Sequence, residues 1–161
     1  GQKYAEIGRF TPRNVKHGLR RHKTIAKELA FNLDRLENGE WVTALKKCNE
    51  LSGRKPTTKR RERYAARYIQ ETFKGFGSKQ SRNLLQMLGL TRHEIPIDSR
   101  MSRWLLQFGY PPPLSGKLLG DKEYYELVLD DVQALCKKAG VPPCLFDAMV
   151  FRVKANGKGD R

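Results

Sequence analysis

Apolar side chains recur three and four residues apart along almost the whole chain, the spacing that lines one face of an α-helix. The stripes are Ile25, Leu29, Leu33 and Leu36; Trp41, Leu45 and Cys48; Tyr64, Tyr68 and Thr72 beside Ala65, Ile69 and Phe73; Met101, Trp104, Leu105 and Phe108; and Tyr125, Val128, Val132, Leu135 and Ala139. No segment alternates apolar and polar residues in the two-residue rhythm of a half-buried strand. The fold class is therefore all-α, with five or more helices. Helix-stopping glycine and proline cluster at 51–60 (LSGRKPTTKR), 109–120 (GYPPPLSGKLLG) and 139–143 (AGVPP). A chain of 161 residues can bury a real core. One helical domain is expected over 1–154, followed by a flexible tail at 155–161.

Thirty-two Lys and Arg against seventeen Asp and Glu give a formal net charge of +15, an excess that calls for a polyanionic partner, nucleic acid first. No apolar run reaches a membrane span, so no membrane partner is expected. Cys48, Cys136 and Cys144 are an odd set without a CxxC, which argues against a disulfide framework or a zinc ribbon and for a reduced, intracellular setting. His17, His22 and His93 read as surface residues, and no metal site is expected from them. The run Lys59-Arg60-Arg61-Glu62-Arg63 opens a helix, where the dipole disfavours positive charge; it is either a phosphate-facing patch or a solvated helix end.

Gly75-Phe76-Gly77 lies between one amphipathic helix ending near Lys74 and another beginning near Ser78. Such a turn is either a plain helix cap or a place where the amides of the second helix meet a phosphate with no side chain in the way. That second helix is roughly 15 Å long at ~1.5 Å per residue, and the extended GLTRHEIPI that follows covers enough distance to bring Asp98 back near Lys79. Pro96 favours an extended Ile95, and Asp98 reads as the N-cap of the next helix.

Gly75, Gly77, Lys79, Pro96 and Asp98, with nineteen positions from lysine to aspartate, resemble the signature of the helix-hairpin-helix DNA glycosylases. The likeness runs closely from about Tyr64 to Leu105 and more loosely to Phe151. Within that superfamily the chain is most similar to the 8-oxoguanine DNA glycosylase/AP lyases, because PPCLFDAMVFRV resembles the segment closing their base pocket. The resemblance implies a helix-hairpin-helix glycosylase-like domain, short at its front end, that removes an oxidised purine from duplex DNA. Lys79 would be the nucleophile and Asp98 its assistant. Gly75, Phe76, Gly77, Ser78, Gln80, Arg82 and Arg100 would contact DNA, and Asp147 and Phe151 would form the base pocket. The protein would act as a monomer and without cofactor. The four-cysteine cluster ligands of some relatives are missing here, while a monovalent cation at the hairpin is compatible with the family.

The residue types suit that chemistry. Breaking an N-glycosidic bond develops positive charge on the sugar, which a carboxylate stabilises. A neutral amine can attack C1′, form a Schiff base and permit loss of the 3′ phosphate by β-elimination. Asp147 and Phe151, four residues apart, share one helix face, where a ring can stack on an extruded base while a carboxylate accepts from N1–H and the exocyclic amine of a guanine; the alternative is that Phe151 is core and Asp147 a helix cap. The relatives carry a glutamine at the position of Asp147. Two rival readings stand beside this one: a non-catalytic hairpin module that only grips DNA, and an RNA-binding structural protein favoured by charge alone.

Overall fold

The computed structural model describes residues 21–53 and 56–156, and every regular element among them is helical. Helix α1 spans His22–Arg35 and joins α2, Trp41–Leu51, through a kinked turn at Leu36–Glu40. Gly39 makes that kink with φ of 106°, a conformation that a residue with a Cβ resists. Then follow α3 (Lys59–Thr72), α4 (Ser78–Met87), α5 (Ser99–Gln107), a single 3₁₀ turn (Leu118–Gly120), α6 (Lys122–Lys138) and α7 (Pro143–Asn156). Three helices start on a side-chain oxygen that accepts first-turn amides: Thr58 for α3, Asp98 for α5 and Asp121 for α6. Helix α7 continues past residue 155, where the tail was expected to begin, while 157–161 and His17 lie outside the described residues.

Two apolar clusters form among the described residues. Leu51, Ala65, Ala66, Ile69 and Leu85 pack α2, α3 and α4 together. The larger cluster gathers Ile95 and Ile97 from the loop after α4, Met101 and Leu105 from α5, Tyr125, Val128, Leu129, Val132 and Cys136 from α6, and Val150 from α7. Not every expected stripe is buried. Ile25, Leu29, Trp41 and Leu45 remain 40–55% exposed. Of these, Leu29, Trp41 and Leu45 line an apolar cleft of about 550 Å³ that separates parts of α1 and α2 from α3 and α4, and polar contacts span its rim. The Asn32 amide donates to the Lys74 carbonyl and accepts from the Lys74 amide, and the Tyr68 hydroxyl donates to Glu40. On α6, Leu135 is exposed and Cys136 takes the inward place.

Buried charge ties the elements of one cluster to those of the other. Glu62 of α3 is fully buried and accepts the amides of Arg92, His93 and Glu94 at 2.9, 2.7 and 2.8 Å. Arg82 of α4, equally buried, donates to Glu94 Oε2 at 2.8 Å and to the Ser78 carbonyl at 2.9 Å, with its guanidinium 4.9 Å from the Tyr125 ring centre. Glu94 Oε1 takes Arg63 and Gln133 as well. Arg67 pairs with Glu126, and Lys59 and Arg63 converge on Asp130. These pairs correct three sequence expectations. Arg82 is inside the protein and does not reach a DNA surface. Lys59 and Arg63, read as part of a phosphate-facing patch or a solvated helix end, are paired with carboxylates of the fold, while Arg60 and Arg61 of the same run stay exposed. His93 is held half-buried by its own backbone bonds. A buried carboxylate needs several donors to offset its lost hydration, and here those donors fix the 92–97 loop that delivers Asp98.

Candidate active site

The hairpin turn between α3 and α4 has one covered edge and one open edge. Gly75, at φ of 82°, lies under α1: a Cβ built there would sit 2.8 Å from a Glu28 carboxylate oxygen. Gly77 is extended, and a Cβ there would meet nothing within 4 Å. Its glycine therefore answers no need of the fold itself. Phe76 is half-buried against the smaller cluster, and the Ser78 side chain is buried with its hydroxyl toward Gln70. Lys79 and Gln80 are exposed, and the Lys79 amine has no hydrogen bond or ion pair among the described residues. The surface open to a phosphate thus runs from Gly77 to Gln80, at the amide end of α4.

Asp98 caps α5 and also faces a cavity. Its Oδ1 accepts the amides of Arg100 and Met101 at 2.8 and 3.0 Å, and Oδ2 accepts the Arg100 guanidinium. Burial pushes this carboxyl up, but the Arg100 side chain and the two amides outweigh burial and hold it below the ordinary carboxylate range. Because its folded-state value is depressed, Asp98 adds stability above roughly pH 4 that is lost as pH falls through the folded value. The two readings of Asp98, cap and site residue, are compatible. Lys79 and Asp98 line the same cleft of about 560 Å³, which α5 closes on one side through Ser102, Arg103 and Leu106 and the 114–120 segment through Leu114 and Leu119.

The C-terminal helix brings the other expected residues to Asp98. The Arg100 guanidinium that holds Asp98 also lies 4.3 Å from the centre of the Phe151 ring, which is 57% exposed. Asp147, one turn earlier on α7, accepts from the Gln86 amide at 2.8 Å. Burial pushes the Asp147 carboxyl above its usual range; the Gln86 bond opposes this and nearby Asp98 adds to it. Lys79 and Asp98 thus share a cavity, and Asp98, Arg100 and Phe151 are joined by direct contacts. Asp147 stands one turn from Phe151 on α7 and is bonded to Gln86, whereas Arg82 is apart in the interior. Sequence reading missed Gln86, Ser102, Arg103 and the 114–120 wall. Ser102 was within reach of it, since it lies four residues after Asp98 on α5; Gln86 was not, since its partner is 61 residues away.

Among the described residues no group of His, Cys, Asp and Glu side chains converges to hold a metal ion, and no helix is long and apolar enough to cross a membrane. Compared with known protein families, curated proteins and solved structures, the chain gives no match. The chemistry of the site rests on its own geometry.

Proposed function

We propose that the protein is a DNA glycosylase with AP lyase activity that removes an oxidised purine, 8-oxoguanine foremost, from duplex DNA. The observation that carries this reading is the single cleft lined both by a lysine unpartnered among the described residues and by an aspartate whose carboxyl is held below the ordinary range. In the reaction the Asp98 carboxylate stabilises the cationic sugar as the base departs. In its neutral form the Lys79 amine bonds to C1′ as the base leaves and gives up a proton, and the C1′–O4′ bond opens with O4′ taking up a proton to leave the iminium. Loss of the C2′ proton then expels the 3′ phosphate with its electron pair by β-elimination. Gly77 through Gln80 meet the backbone phosphates, and the extruded base stacks on Phe151 once the Arg100 guanidinium has moved off that ring.

Strand cleavage of duplexes carrying one 8-oxoguanine, one guanine or one 8-oxoadenine tests the proposal. Cleavage confined to the first duplex is expected. Tight binding to all three without cleavage supports the grip-only module, and preference for structured RNA supports the structural RNA-binding reading.

Arg100 makes a pH-dependent prediction. In Arg100→Ala burial still raises the Asp98 carboxyl, while only the two helix amides oppose it. The acid limb of the excision profile is therefore expected to move to higher pH, with Arg100→Lys restoring part of the shift. An unmoved limb in the alanine variant would show that Arg100 does not set the ionisation of Asp98.

A further inference from the structure

The Gln86 amide and the Asp147 carboxylate form one continuous polar edge. A carboxylate oxygen only accepts when ionised, so the 2.8 Å contact to Asp147 Oδ2 must come from the nitrogen end of the Gln86 amide. That nitrogen carries two hydrogens, and the second has no acceptor among the described residues. Asp147 Oδ1 has no donor among them either. From Gln86 to Asp147 the edge therefore reads donor, acceptor, acceptor. A guanine Watson–Crick edge reads acceptor, donor, donor, from O6 through N1–H to the exocyclic amine. This is the match cytosine makes in a duplex. Adenine presents a donor at its amine and an acceptor at N1, so both leading contacts become repulsive.

We propose that Gln86 is a specificity-determining residue that donates to O6 of the extruded base while Asp147 accepts from N1–H and the amine. The proposal rests on the glycosylase reading and deepens it: the pair accepts 8-oxoguanine and excludes 8-oxoadenine by the edge they do not share. Phe151, one turn beyond Asp147 on α7, supplies the stacking ring on the same helix face. Two residues are needed because a carboxylate alone offers no donor for O6.

The test is a binding cycle in the Lys79→Gln background, so that no step of the chemistry intervenes. Duplexes carry either 8-oxoguanine or 8-oxo-6-thioguanine, which keeps N1–H and the amine but replaces O6 with a weakly accepting sulfur. Protein with Gln86 is expected to favour the oxygen base by roughly tenfold, and Gln86→Leu to erase that preference by weakening the oxygen base alone. Gln86→Met, closer in length, serves as the second variant should leucine lower the melting temperature. Equal losses on both bases would mean that Gln86 only orients Asp147 and would overturn the O6 contact, as would equal affinity of the Gln86 protein for the two duplexes. A protein with Lys79 that cleaves no 8-oxoguanine strand, yet shows the O6 preference, would sink the catalytic reading and leave the base-edge contact standing.

Discussion

Lys79→Gln is expected to abolish both strand cleavage and borohydride trapping, a loss of roughly a thousandfold or more, the scale seen when a covalent nucleophile is removed. The side chain is at the surface of the cleft and has no partner among the described residues. Glutamine keeps the polarity and most of the length, so the fold and the affinity for DNA should persist. Asp98→Asn supplies the contrast. An amide oxygen still caps α5, so the helix stays in place, but no charge remains to meet the developing cation. Base removal should slow while a pre-formed abasic site is still trapped. Equal trapping by Lys79→Gln and the unaltered protein would remove Lys79 from the chemistry.

The largest effect on stability is expected from Arg82→Met, at about 3–5 kcal/mol, because the change leaves a buried Glu94 carboxylate short of its main partner. Arg82 and Glu94 are both fully buried, and Arg63 alone cannot replace the two-sided contact. A loss of that size is a large part of the roughly 5–15 kcal/mol that holds a domain folded. Urea denaturation would show it as a lower midpoint at unchanged slope. Adding Glu94→Gln should recover part of the loss, since an amide is less costly to bury than an unpaired charge. A change below about 1 kcal/mol in the single variant would mean that water already reaches this pair.

Helices and their caps were legible because each is decided within a few residues: Asp98 as a cap, Gly75 as a turn, and the Ala65 and Ile69 face of α3. That Lys79 and Asp98 line one cleft was legible because a ten-residue helix and an extended return lie between them. The buried charges were not. Glu62 sits in a run of lysine and arginine and looks like a solvated residue, yet its carboxylate organises a loop thirty residues away. Arg82 did carry a local signal, for it lies on the same face as Ser78, Ser81 and Leu85, all of them buried. Its charge obscured that position. The Gln86–Asp147 bond and the hold of Arg100 on Phe151 depend on how α7 docks, and no local pattern encodes that.

The measurement that bears most directly on the central claim is peptide mapping of the adduct formed when the protein, borohydride and a duplex with one 8-oxoguanine are combined. The account predicts a reduced adduct on the peptide that contains Lys79, formed together with strand cleavage at the lesion. An adduct on another lysine, or cleavage without any adduct, would contradict it.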